Sequence, residues 1–108
     1  MSTETKKDKL FNKIKEVRPT LKDASLDMYL RSLAKINKEK GNSDLYNVKI
    51  LDDKDYIDEF LSNKKDNTKK NYLSSIVVIL MAMKKKKAMV DYYRNKMELL
   101  GNSIKEHL

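Results

Sequence analysis

Apolar residues recur at helical spacing along the whole chain, and no stretch alternates as a half-buried strand does. Residues 6–17, "KKDKLFNKIKEV", place Leu10, Phe11, Ile14 and Val17 on one side of a short helix that Arg18-Pro19 closes. A second helix is predicted from Asp23 to about Lys38. Its stripe is Leu26, Tyr29, Leu30, Leu33 and Ile36, with Asp27, Arg31, Lys35 and Lys38 opposite, and Gly41-Asn42 ends it. The loop "NSDLYNVKI" leads to a third helix near 53–62, capped by Asp52, with Tyr56, Ile57, Phe60 and Leu61 facing inward. Asn67 is the expected cap of a fourth helix starting at Thr68. Tyr72, Leu73, Ile76, Ile79, Leu80 and Met83 share its core face, and Lys70, Asn71, Ser74, Ser75, Val78 and Met81 the other. A last helix near 88–100 packs Met89, Tyr92, Tyr93, Met97 and Leu100 before Gly101-Asn102 stops or kinks it. The pattern predicts an all-α fold, a compact bundle of four to five helices. Residues 1–18 form a basic arm with its short amphipathic helix, and 19–108 form the helical domain.

The apolar run Ile76–Met83 is too short for a bilayer, which needs about 20 such residues. With no cysteine, disulfides and thiolate metal sites are unavailable, and the single histidine, His107, stands at the frayed C-terminal end. The N-terminal stretch lacks an apolar signal core, so an intracellular setting (cytoplasm, nucleoid or nucleus) is expected.

Net charge is +8, and it is unevenly spread: +3 in 1–20, zero in 21–65, +5 in 66–87 and zero in 88–108. A composition bias toward lysine would raise it everywhere; focusing it in two segments suggests a polyanion footprint. In the fourth helix, Ser74 and Ser75 are small enough to let a backbone approach base edges. Thr68, Lys69, Lys70 and Asn71 offer donors and a helix N-terminus to phosphates. A solvated face with tolerated serines reads equally well from these residues alone.

"LKDASLDMYLRSLAKI" (21–36) carries L-x3-S-x3-Y-x3-L, and "NTKKNYLSSIVVIL" (67–80) carries N-T-x-x-N-Y-L-x-x-I. In this order, with a helix between, they resemble the core-binding domain of tyrosine recombinases, the SAM-like phage-integrase N-terminal domain, over roughly residues 19–100. The resemblance implies one half of a clamp around duplex DNA. It places Ala24, Ser25, Met28, Arg31 and Lys35 near the DNA on one helix and Thr68, Lys69, Lys70, Asn71 and Ser74 on the other. Asp23 and Asp27 stand close to that first set, as helix caps or, for Asp27, as an i+4 partner of Arg31.

Recombinases of this class cleave with a tyrosine activated by arginines and histidines of a separate C-terminal domain, and this chain has no such constellation. Its tyrosines mostly fall at core spacing. Catalysis, a cofactor, a metal site and a small-molecule substrate are therefore not expected. The expected partner is double-stranded DNA, with self-association on the DNA as a further option and no membrane. The rival reading is a helical interaction or assembly module, in which Val78 and Met81 dock a partner and the lysines only solubilise. A third reading sets Lys84–Lys87 against acidic lipid.

Overall fold

In the computed structural model, which describes residues 5–84 and 87–106 (backbone only over 101–106), five α-helices and one 3-10 helix follow one another. They are α1 Lys6–Val17, α2 Asp23–Lys40, the 3-10 helix Val48–Asp52, α3 Lys54–Ser62, α4 Asp66–Ala82 and α5 Lys87–Glu106. No strand occurs among the described residues. Lys85, Lys86 and His107 lie outside them.

α1 starts with a capping box. The Asp8 N–H donates to Thr5 Oγ1 at 3.2 Å, and the Thr5 N–H donates to Asp8 Oδ2 at 3.3 Å. Leu10 and Ile14 enter the common core, so the segment read as an arm is packed against α2 and α4. Val17, expected on the same stripe, is exposed in the last turn of α1.

α2 ends where Gly41 turns left-handed at φ +86°. The Gly41 N–H returns to the Lys38 carbonyl and the Asn42 N–H to that of Asn37, each at 3.0 Å, which makes a Schellman cap. The following segment is no plain loop. Asn47 Oδ1 accepts from the Lys49 N–H, and the 3-10 helix it starts buries Ile50 and Leu51. That helix uses up Asp52, so Asp53 instead caps α3, accepting the Tyr56 N–H at 3.1 Å. A five-residue helix of i+3 period was too short to show in the pattern.

α4 departs most from expectation. It begins at Asp66, one turn-half earlier than Thr68, after a Lys65 cap that supplies no side-chain acceptor. The two faces drawn for it hold only in its first half, since every residue from Ser75 to Leu80 is buried. The reason is position: α4 is the central helix, with α1, α2, α5 and the 3-10 helix all packed on it. A helix apolar all round belongs in the middle of a bundle.

α5 passes through Gly101 without stopping. A glycine inside a helix costs only about 1 kcal/mol relative to alanine. Tyr93 is its deepest residue, wholly buried, and its hydroxyl donates to the Leu51 carbonyl at 2.6 Å. Tyr56 and Tyr92 likewise pack on the core while donating to the Ile36 carbonyl and the Asp58 carboxylate. These tyrosines are used in packing, as their spacing predicts.

Candidate nucleic-acid interface

α2 and α4 meet through small residues. The Ser75 hydroxyl oxygen lies 3.2 Å from that of Ser32 and 3.1 Å from the Asn71 carbonyl, while Ser32 donates to the Met28 carbonyl. Projection at 100° per residue puts Met28 and Lys35 on the outward side of Ser32. It puts Lys70, Asn71 and Ser74 on the outward side of Ser75. Both helices bury their other sides in one core, and the two outward sets belong to the helices that meet at this crossing. Farther toward the C-terminal half of α4 the outward side ends, where Val78 is buried under its neighbours.

On α2, Met28, Arg31 and Lys35 are exposed and Ser25 is half-buried, next to exposed Ala24. Asp27 holds Arg31 at 2.8 Å and also meets Lys7 of α1 at 3.5 Å, so it links two cations and reduces the field of both. Lys35 makes no ion pair among the described residues. On α4, Thr68, Lys70 and Asn71 are exposed and Ser74 is half-buried. Glu39 lies near these first turns: burial first, and then its charge, raise the Tyr72 hydroxyl pKa.

Two expected roles change with the start of α4. Asp66 occupies the first turn, where the helix dipole favours an anion, and Lys69 and Lys70 fall in the second. The two lysines also diverge. Lys69 is half-buried and turns with Leu73 into a hollow of about 340 Å³ between α3, α4 and α5, whose walls include Leu61, Lys96 and Leu100. Only Lys70 stays on the surface with Asn71 and Ser74. Ser75 is a helix-crossing residue, not part of a reading face. Val78 is core, and Met81 is half-buried with its sulfur 3.5 Å from Arg94 Nη2, so neither forms the open docking face sketched for it.

Ion pairing across elements was beyond reach of a charge tally. Lys6 pairs with Asp44, Lys15 with Asp23 at 3.1 Å and Lys40 with Asp53 at 3.1 Å. Acids of the neutral 21–65 segment thus consume part of the N-terminal excess. Among the described residues no cluster of three or more histidine, cysteine or acidic side chains is placed to hold a metal ion. None of the described helices is long and apolar enough to cross a membrane. Comparison with protein families, with curated proteins and with solved structures finds no match.

Proposed function

We propose that this chain binds double-stranded DNA as a module of the tyrosine-recombinase core-binding type, serving integration or recombination in a parent protein. The observation that carries this reading is the crossing of α2 and α4 at Ser32 and Ser75, with Lys35 exposed on one helix and Lys70 and Asn71 exposed beside half-buried Ser74 on the other. Small side chains there let the backbone come close to a groove, Asn71 reaches a base edge, and Lys35 and Lys70, without an ion pair among the described residues, meet phosphates. Arg31 is held by Asp27 in a position to exchange that carboxylate for a phosphate, a trade that increases salt dependence.

The test is titration of a labelled duplex at two salt concentrations with the full chain and single variants. Lys35→Ala and Lys70→Ala are each expected to lower affinity and to reduce the magnitude of the salt slope by about one. Lys69→Ala should leave both nearly unchanged, because Lys69 is half-buried and lines the hollow between α3, α4 and α5. Binding that ignores salt, or equal losses at Lys69 and Lys70, would overturn the docked-surface reading.

A further inference from the structure

Three lysines of the N-terminal basic segment meet Lys49 at a place that α2 and α4 do not share. Two turns of α1, the segment 46–49 and the end of α4 enclose a hollow of about 310 Å³. Its floor is apolar: Leu10, Val48 and Met83, with the half-buried Tyr46 on one side. Its rim carries four lysines, Lys6, Lys9, Lys13 and Lys49. Asp44 engages Lys6, while Lys9, Lys13 and Lys49 have no ion pair among the described residues. Asn47 adds an amide whose oxygen is taken by the Lys49 N–H and whose nitrogen donates to nothing among the described residues.

We propose that this hollow binds a nucleoside 5′-phosphate, with the base on Tyr46, Val48 and Met83 and the phosphate among Lys9, Lys13 and Lys49. Three ammonium groups without an ion pair among the described residues stand around an apolar floor, a combination that suits an anion with an apolar or aromatic body. The volume stands at the lower end of the roughly 300–1,000 Å³ of small-ligand sites. A long acyl chain needs a deeper slot, and an acidic helix needs a groove longer than the two turns of α1 available. Tyr46 and Met83 both line the hollow, and stacking and sulfur contacts there favour a flat ring. The free amide nitrogen of Asn47 is a donor suited to a base edge. Lysine is the residue for a phosphate approached as a point charge from several sides.

Such a nucleotide has two sources, a free mononucleotide or the unpaired end of a DNA strand, and the chemistry at the hollow is the same. Calorimetric titration of the full chain with deoxynucleoside 5′-monophosphates, the parent nucleosides, inorganic phosphate and octanoate tests the site. The monophosphate should bind at least about tenfold more tightly than nucleoside or phosphate, since charged hydrogen bonds add to ring burial. Lys13→Ala with Lys49→Ala should abolish that difference, and Lys70→Ala should leave it intact, which separates this site from the duplex surface. Unchanged melting of the double variant shows that the fold is kept. A duplex with a short 5′ overhang that displaces the mononucleotide, where a blunt duplex does not, assigns the strand end; displacement by neither assigns the free nucleotide. Equal binding of monophosphate and inorganic phosphate, tighter binding of octanoate, or indifference to the double variant would overturn the proposal.

Discussion

Asn37 illustrates how much one side chain does. It is fully buried in α2, and its amide nitrogen donates to the carbonyls of Leu33 at 3.1 Å, Leu45 at 2.8 Å and Asn47 at 3.3 Å. Its oxygen accepts from Asn42 at 2.9 Å. The irregular segment after α2 is thereby fastened to the helix that precedes it. Asn37→Ala strands the Leu45 and Asn47 carbonyls, and it should cost about 3 kcal/mol in a urea titration. In the sequence Asn37 sits among the polar residues of "INKEKGN", and its partners lie in a stretch with no period. One signal was present: Asn37 follows Leu33 by four, so it continues the buried stripe. A polar residue at such a position needs partners, which points to a capped or pinned loop nearby.

Acid sensitivity belongs to the same scale. The Asp44 carboxyl is held below its ordinary 3.8 by Lys6 and by the Tyr46 N–H. The Asp53 carboxyl is held below 3.8 by the Tyr56 N–H and by Lys40. A carboxyl lowered in the folded state stabilises that state above the unfolded value and loses the effect as pH falls through the folded one. Stability should therefore be level above about pH 5 and decline below about pH 4. Asp53→Asn should lower the urea midpoint at pH 7 and narrow its difference from pH 3; an unchanged difference would exclude Asp53 as a source.

Among the elements, α4 shows both how far a periodic pattern reaches and where it stops. Existence and direction of the helix were legible from "NYLSSIVVILMAM", and so were the core roles of Leu73, Ile76, Ile79 and Leu80. The two-faced projection failed because Val77, Val78 and Ala82 make the second half apolar on every side, and such a helix has no outward face to assign. Val78→Ala should cost about 2 kcal/mol through a cavity. It should leave duplex affinity unchanged under conditions where the variant is folded, as competition binding would show. The start of α4 offers the opposite opportunity. Lys65 has extended backbone at the cap position and its side chain makes no capping hydrogen bond, so Lys65→Ser should add about 1 kcal/mol. A rise of several degrees in Tm is the expected readout in a domain of this size. The candidate site was legible to the same extent: Lys35, Lys70 and Asn71 are on the surface where their helices put them, whereas the turn of Lys69 toward α5 depends on a neighbour that no local pattern names.

For the molecule as a whole, the order of its parts matters more than their number. α1 is the first helix in the chain, yet Leu10 and Ile14 are buried in the same core as residues of α4. During synthesis at about 5–20 residues per second, the roughly seventy positions between Ile14 and Ala82 correspond to roughly 4–14 seconds. For that interval the nascent chain carries an amphipathic segment whose apolar side has α2 and the segment 46–49 to rest on, but not the central helix. The capping box of Thr5 and Asp8 and the exposed pair of Lys7 with Asp27 are local and weak, too little to hold so short a helix closed before α4 arrives. Ribosome-bound chains of graded length should remain open to protease within α1 until α4 has emerged, and then close in a single step. The birth of this fold is timed by its central helix.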